Sequence, residues 1–532
     1  MKNSEVFYTA AKVFTGQDES TFATAFAVDG DSFTWVGAAE DIPDGARKVD
    51  LGDRTVLPGL LDVHTHATYT SAMGRAVACT APKVTDIPSL LEALREHPNY
   101  GRGGWIEGWG YDESKLAEHR TPTRHDLDQV SVDQPVYLQR SDFHSGVCNT
   151  RALELAGITA STPDPEDGRF GRDDSGEPNG VLIEHGANQV VNQAKGMIGF
   201  DGAVQMLADS TLHFAERGLV GVTDLFCVPT DYDYRDLFRE AAVRGFAQQC
   251  RFYLDFASLQ NSPVREIQPE DLRGRVALAG IKLFADGSMS NRTAWMRDPY
   301  PGTTDDVGMG TASPEQMQQA LEYARPRGLQ IAVHAMGDRA IEAVIEAYEH
   351  EEPWLDSVPS VRIEHATMLD PDLMERMAAA RMHFGVASNI DFLYAEYESY
   401  RDNLTPDQFA RAYMVKALYE RVPDCALSSD CPATTWPDPD DPFYSMQAAV
   451  TRRAYTGDPI TVNQAITIEQ AVLMYTGRAR GLVDMPRLGR IAPGYEAAFI
   501  TLSQDIFTVP SDQIARTQVM GTWIQGERVF AR

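Results

Sequence analysis

The hydrophobic residues of the chain follow one pattern at its two ends and another in its middle. Near the N-terminus, the apolar runs 22–28 and 33–37 are separated by the turn signal Asp29-Gly30-Asp31, as in a β-hairpin. The C-terminal part repeats this pattern of short apolar runs divided by turn residues. We therefore predict one small β-sandwich domain formed from both chain ends, residues 1–58 and 481–532.

The middle of the chain, residues 59–480, alternates apolar runs of strand length with segments of helical period. Helices are predicted over residues 314–325, 339–350 and 371–380, between several of the strands. This alternation favours parallel βα units, and eight strand candidates fit a closed (β/α)₈ TIM barrel. The strand candidates are residues 60–63, 135–139, 221–225, 280–284, 330–333, 361–364, 383–387 and 426–429.

Two segments of this middle part are too long to be simple connections between strands and helices. They lie near residues 85–130 and 160–200. Long connections in a compact domain tend to be lids or binding loops. We expect these inserts to be lids or binding loops.

Charge and composition exclude several classes of function. The chain has 77 acidic and 47 basic residues, a net charge of −30, which disfavours a nucleic-acid or anionic-lipid surface. We find no apolar window of membrane-span length and no signal-peptide core. The six cysteines form no C-x-x-C pair, so reduced thiols and a cytoplasmic location are expected. The commonest assembly of soluble proteins, a two-fold homodimer, is the expected oligomer.

The strongest chemical signal is Asp62-Val63-His64-Thr65-His66, which follows an apolar strand. Residues two apart on a strand face the same side, so His64 and His66 can direct two imidazoles toward one point. Imidazole is a ligand for zinc and related ions. Taken alone, the motif also fits a solvated pair of histidines.

Three more polar residues stand at the ends of other apolar runs: His334, His365 and Asp430. The carboxyl ends of barrel strands meet at one mouth, where active sites lie. We therefore expect these residues to join His64 and His66 in a site for a divalent ion. Zinc is the expected metal, with about one or two ions per chain.

Lys282 lies inside the apolar run 280–284, where an ammonium group would lose its hydration. In one interpretation, the side chain extends along apolar surface to the barrel rim. In the other, the buried amine has a depressed pKa and reacts with carbon dioxide, and the carbamate so formed binds metal. The pattern of residues leaves both interpretations open.

Together these motifs resemble the amidohydrolase superfamily, and within it the branch of N-substituted formamide deformylases in amidohydrolase family 3. The resemblance covers nearly the whole chain, because a β domain split between the chain ends is also a feature of the superfamily. The motifs that carry it are 57–66, 140–145, 282–288, 333–338, 363–366, Ser429-Asp430 and 448–452.

The resemblance implies a two-ion centre that hydrolyses an amide or similar C–N bond, such as that of an N-substituted formamide. One ion would be held by His64, His66 and Asp430. The second would be held by His334 and His365, with carbamylated Lys282 as the bridge. By the same resemblance Asp430, His365 and Lys282 take part in catalysis, with Asp430 moving a proton from the attacking water to the leaving amine.

Candidate substrate-binding residues are His144, Trp109 and Trp295, of which His144 follows the strand candidate 135–139. The chain departs from the deformylase branch at residues 289–291 and at Cys431. The resemblance therefore implies a class of reaction, acting on a small-molecule substrate, rather than one compound.

Three alternatives remain open at this point. A mononuclear deaminase of the same superfamily would commonly carry a Glu three residues after the strand-5 histidine, where this chain has Gly337, and Lys282 also counts against it. A non-catalytic binding or assembly protein on the same fold would usually lack some of the ligands. A metal-free barrel enzyme would use the histidines only as acids and bases.

Overall fold

The computed structural model describes residues 5–74, 76–141, 145–165, 168–196, 198–229, 232–261 and 264–532. The strands are β1 (Val6–Phe14), β2 (Phe22–Asp29), β3 (Ser32–Gly37), β4 (Lys48–Asp50), β5 (Thr55–Pro58), β6 (Leu60–Asp62), β7 (Val77–Ala78), β8 (Ile106–Tyr111), β9 (Val136–Arg140), β10 (Ser145–Cys148), β11 (Arg169–Arg172), β12 (Pro178–Ile183), β13 (Leu219–Cys227), β14 (Gln249–Asp255), β15 (Val276–Phe284), β16 (Gln330–Ala335), β17 (Val361–His365), β18 (Phe384–Ser388), β19 (Cys425–Leu427), β20 (Phe499–Leu502), β21 (Val519–Ile524) and β22 (Glu527–Ala531).

The α-helices are α1 (Ala67–Met73), α2 (Ile87–Arg95), α3 (Arg124–Leu127), α4 (Thr150–Ala156), α5 (Glu184–Lys195), α6 (Phe200–Glu216), α7 (Tyr234–Val243), α8 (Phe256–Asn261), α9 (Pro314–Ala324), α10 (Asp338–Tyr348), α11 (Pro371–Ala379), α12 (Ile390–Ala395), α13 (Tyr397–Asn403), α14 (Pro406–Phe409), α15 (Val415–Arg421), α16 (Pro442–Thr451), α17 (Ile468–Met474) and α18 (Ala479–Leu482). Short 3₁₀ helices lie at Ala39–Asp41, Glu113–Lys115, Arg325–Arg327, Val462–Gln464 and Ser511–Arg516. Among the described residues, none of the helices is both long and apolar enough to cross a bilayer.

Eight parallel strands form the predicted (β/α)₈ barrel, in the order β6, β13, β14, β15, β16, β17, β18, β19. The first and last strands meet through side chains and loop backbone. Ser429 Oγ donates to Asp62 Oδ2 at 2.5 Å, and Asp430 N donates to His64 O at 2.7 Å. The seam of the barrel therefore lies directly beneath two candidate metal ligands.

One strand of the barrel was predicted wrongly. The segment 135–139 overlaps β9 (Val136–Arg140), which belongs to a separate sheet where Val136 and Leu138 are buried in a core of their own. The third barrel strand is instead β14, which contains Arg251. The guanidinium of Arg251 is buried and donates to the carbonyl oxygen of Asp484 at 2.8 Å, so a residue typical of a surface lies inside the barrel wall.

The helices around the barrel follow the pattern of their apolar residues. In α10, Ile341, Val344, Ile345 and Tyr348 are buried and recur every three or four residues, which places them on one face. α9 begins at the capping box of Ser313 and Gln316, whose side chains satisfy free backbone N–H groups. α9 lies within the predicted segment 314–325, and α10 begins one residue before the predicted segment 339–350.

The small β domain is built from both chain ends, as predicted. Its sheet has the order β22, β21, β20, β5, β1, β2, β3, with β4 paired to β1. β20 from the C-terminal part pairs antiparallel with β5 from the N-terminal part. Phe499 joins the two parts, because its ring stacks on Trp523 at 4.5 Å and meets Phe26 edge-on at 4.8 Å.

The chain divides into two compact units. One contains the barrel and the small β domain: the chain up to Ala67, Leu207–Asp430 and Asp440–Arg532. The other, Thr68–Met206 with Cys431–Pro439, contains a mixed sheet of β7 to β12. The predicted inserts lie in this second unit. Their role in substrate binding and the domain boundaries at residues 58 and 480 remain predictions.

Candidate metal centre

The carboxyl ends of the barrel strands bring the candidate ligands together. His64 and His66 follow β6, His365 ends β17, and Asp430 follows β19. His64, His365 and Asp430 are buried, and one ligand atom from each lies within 4.8 Å of the other two. His365 and Asp430 have φ angles of +66° and +53°. Such a conformation is strained for residues other than glycine and persists only where the surrounding structure enforces it.

Asp430 is the centre of this cluster. Its Oδ1 lies 3.2 Å from His64 Nε2 and 2.9 Å from His66 Nε2, and its Oδ2 lies 3.9 Å from His365 Nδ1. Burial favours the protonated acid, but the neighbouring His64 and His66 outweigh burial and hold the pKa of Asp430 well below its usual range. The carboxylate is therefore ionised, with His64 and His66 at contact distance and His365 farther away.

The hydrogen bonding of His64 indicates that His64 Nε2 and Asp430 Oδ1 are suited to binding a cation. His64 Nδ1 lies 2.5 Å from Glu364 Oε2, a carboxylate that can only accept, so Nδ1 carries the proton. His64 Nε2, the nitrogen left for a metal ion, lies 3.2 Å from Asp430 Oδ1. Two acceptors at that distance require a shared proton or cation between them.

His365 and His334 also offer neutral imidazole nitrogens. Burial, together with the neighbouring His334 and His64, lowers the pKa of His365 well below its usual range. Within the described chain, His365 Nδ1 is a buried polar atom with no hydrogen-bond partner. Burial lowers the pKa of His334 to about 4, and its Nε2 donates to Gly287 O at 2.9 Å. His334 Nδ1 is left with the lone pair that a metal ligand needs.

Lys282 lies on β15 and is 1% exposed. Burial lowers its pKa to about 8, although Glu364 and Asp430 act in the opposite direction. Among the described residues no carboxylate lies within 4.0 Å of Nζ, which stands 5.1 Å from the centre of the Phe284 ring. The amine is thus close to the ligand cluster without being neutralised by an ion pair.

A buried pair of charged residues supports the cluster, and sequence reasoning did not assign it a role. Arg362 and Glu364 lie on β17, and both side chains are 0% exposed. Burial would raise the pKa of Glu364, but Arg362 and His64 outweigh burial and lower the pKa to about 2. The signal in the sequence was the presence of two charged residues inside an apolar run that ends at a candidate ligand.

Asp286 organises the loops beside His334. Its carboxylate accepts hydrogen bonds from the backbone N–H groups of Trp295 at 2.9 Å, Met336 at 3.0 Å and Gly337 at 2.8 Å. A Cβ added at Gly337 would overlap the carbonyl oxygen of Trp295. The backbone therefore leaves no room for the Glu that deaminases commonly carry at this position.

Aromatic rings line one side of the cluster. Phe392 stacks on His365 with ring centres 5.7 Å apart. Phe284 lies 5.3 Å from the His334 ring and meets Phe226 edge-on at 5.6 Å. Phe284 is 38% exposed, which leaves part of an apolar ring open beside the candidate ligands.

The three candidate substrate-binding residues belong to different parts of the chain. Trp295 is joined to the loops near His334 through its backbone, while its ring lies 5.3 Å from the Arg339 guanidinium. Trp109 is buried on β8, in the second unit. His144 lies outside the described residues. Their roles in substrate binding remain predictions.

The fold is an eight-stranded parallel barrel with a His/His/Asp cluster at the carboxyl ends of its strands. The model of the amidohydrolase family matches residues 47–530, and the chain belongs to this family. The chain is 28% identical to the putative amidohydrolase YtcJ of Bacillus subtilis, over 91% of this chain and 90% of that protein. It is 27% identical to the N-substituted formamide deformylase of Arthrobacter pascens, over 98% of this chain and 97% of that protein.

Solved structures show the same fold. An uncharacterized metal-dependent hydrolase from Pyrococcus horikoshii aligns with a TM-score of 0.74 and 23% identity, over 96% of this chain and 99% of that one. The atrazine chlorohydrolase TrzN from Arthrobacter aurescens, complexed with zinc, aligns with a TM-score of 0.55 and 14% identity, over 99% and 95%. These alignments agree with the barrel and its split β domain.

Proposed function

We propose that this protein is a metal-dependent amidohydrolase that cleaves an amide or related C–N bond of a small molecule. The observation that carries the proposal is the buried cluster of His64, His365 and Asp430 at the barrel mouth. One ligand atom of each of the three residues lies within 4.8 Å of the other two. Membership of the amidohydrolase family supports the same conclusion. An N-substituted formamide is a candidate substrate, because one relative carries that activity in its name.

The ligands of the proposed centre are those expected from sequence: His64, His66, His334, His365, Asp430 and carbamylated Lys282. We expect zinc, with about one or two ions per chain. When bound, a divalent ion makes hydroxide available near neutral pH and polarises a carbonyl oxygen. The amine of Lys282 would become a ligand by adding to carbon dioxide, which forms an N–C bond and releases one proton.

The residues of the chain supply positioning and proton transfer. Ionised Asp430 accepts a proton from the attacking water and passes it to the nitrogen of the leaving amine, which balances hydrolysis to an acid and an amine. His66 Nε2, at 2.9 Å from Asp430 Oδ1, holds the carboxylate in place. Burial of this carboxylate keeps bulk water from competing for the proton.

Deamination by a single-ion enzyme is disfavoured by the loop after His334. The backbone at Gly337 cannot accept the side chain that would handle protons at leaving ammonia. We propose further that the protein acts in the cytoplasm as a homodimer, without binding nucleic acid or membrane. The net charge of −30 supports the expectation that the protein binds neither nucleic acid nor membrane.

Removal of metal tests the proposed function directly. The purified protein is assayed with formamides, other N-acyl amines and amino-heterocycles, before and after treatment with a chelator. We expect amine release from an amide to disappear on chelation and to return with Zn²⁺. Ammonia release from heterocycles without amide cleavage, or amide cleavage that survives complete metal removal, would contradict the proposal.

The exposed face of Phe284 leads to a prediction about substrate preference. We expect Phe284→Ala to raise KM about tenfold for amides that carry an aromatic group, because the aromatic group of the substrate loses the Phe284 ring as a stacking partner. The kcat and the KM for small aliphatic amides should change little. Phe530→Ala, at a partly exposed ring on β22, is the matched control. Equal losses for aromatic and aliphatic amides would show that Phe284 does not contact the substrate.

A further inference from the structure

We propose that Glu364, held in place by Arg362, is the positioning residue for His64. In this role Glu364 fixes the imidazole with its proton on Nδ1, so that Nε2 presents its lone pair to the metal position. The inference rests on the proposed function, since it concerns a ligand of the proposed centre. It adds two residues that the chemistry of the ligands alone does not assign.

The contact between Glu364 and His64 is short and fully enclosed. Glu364 Oε2 lies 2.5 Å from His64 Nδ1, and the two side chains are 0% and 1% exposed. No water competes for this hydrogen bond, so it determines both the tautomer and the rotation of the ring. Histidines that bind metals almost always donate their second N–H group in this way.

Arg362 in turn prevents the carboxylate of Glu364 from rotating. Its Nε and Nη2 both donate to Glu364, with Nη2 2.8 Å from Oε2. The same Nη2 donates to Val63 O at 2.6 Å, the carbonyl immediately before His64. Nη1 donates to Tyr253 OH at 3.3 Å, and that hydroxyl donates to Gln330 Oε1 at 2.6 Å.

This network therefore fixes the barrel interior beneath the ligands. The planar guanidinium joins β17 to β14 and to the end of β6, and Tyr253 extends the contact to β16. A carboxylate that accepts two hydrogen bonds from one guanidinium has a defined orientation. It can therefore hold the ring of a ligand histidine in one orientation.

Stability alone is a weak reason for placing these two charges in the core. Desolvation offsets most of the attraction between buried ions, and well-packed apolar residues often replace such pairs without loss. The pair does, however, bring a carboxylate to His64 while adding no net charge to the barrel interior. Positioning of the ligand is the role that explains this arrangement.

Glu364→Gln tests the inference through the affinity for zinc, measured by competition with a chromophoric chelator. We expect the affinity to fall about 10- to 100-fold. Glu349→Gln is the matched control, because Glu349, directly after α10, accepts two hydrogen bonds at 2.8 Å from Arg376 on α11. Its zinc affinity should equal that of the wild type.

A double variant separates positioning from a purely structural role. Arg362→Met alone leaves Glu364 buried and uncompensated, so we expect a lower unfolding temperature. Arg362→Met combined with Glu364→Gln should recover the unfolding temperature but not the zinc affinity. If zinc affinity recovers together with stability, the pair is structural and the inference is wrong.

NMR of ¹⁵N-labelled histidine gives a second readout that does not depend on activity. We expect the His64 signal, assigned by its loss in His64→Asn, to show a protonated Nδ1 in the wild type, and a mixture of tautomers in Glu364→Gln. A wild-type protein that binds no zinc would refute the proposed function itself. A Glu364→Gln protein that binds zinc as tightly as the wild type would refute only the positioning role.

Discussion

Asp430→Asn is expected to lower kcat for amide hydrolysis by about 10²- to 10⁴-fold, the range in which a positioned acid–base group contributes. The amide cannot take a proton from water, although it has nearly the same shape as the carboxylate. Steady-state kinetics on the amide identified by the substrate screen would measure the loss. The effect should be the largest of any single substitution in the chain that preserves the fold.

The control for this variant is Asp402→Asn, at a side chain that is 64% exposed beside Arg401. Its kcat should match that of the wild type. A kcat for Asp430→Asn within about threefold of wild type, far below the expected acid–base contribution, would mean that another group transfers the proton.

Lys282→Ala is expected to lower activity at least about 100-fold, because a ligand shared by two ions disappears. The buried cavity left by the side chain lies beside the ligand cluster. A short carboxylic acid such as acetate can occupy that cavity and supply the missing carboxylate. We therefore expect acetate to restore part of the activity of Lys282→Ala and to leave the wild type unchanged.

The control here is Lys282→Met, which fills the cavity with an apolar chain of similar length. Acetate should not rescue this variant. Equal activity of Lys282→Ala and wild type would show that activity does not require a carbamate on Lys282. Lys282 would then be a lysine packed along apolar surface.

The clustering of candidate ligands could be predicted because each of these polar residues stands at the end of an apolar strand. His334, His365 and Asp430 each end or directly follow such a run, and barrel topology brings strand ends together. The alternation of strands and helices was sufficient for the fold class. The split β domain was predictable because similar hairpin patterns occur at both chain ends.

The rest of the site depends on contacts that no local pattern contains. Glu364 meets His64 across 300 positions of sequence, and a charged residue in a strand gives no indication of its partner. Arg251 illustrates the same limit, since a charged residue in a strand gives no indication that its side chain is buried against the carbonyl oxygen of Asp484. Residues 135–139 were assigned to the barrel because a strand buried in another sheet has the same apolar pattern.

The metal content of the purified protein decides whether the chain holds the proposed metal centre. Elemental mass spectrometry would be applied to the wild type and to Lys282→Ala, both purified with bicarbonate present. We expect about two divalent ions per chain in the wild type and clearly fewer in the variant, as a carbamate-bridged centre requires. Wild-type protein that carries no divalent ion, and takes up none from added Zn²⁺, would contradict the account.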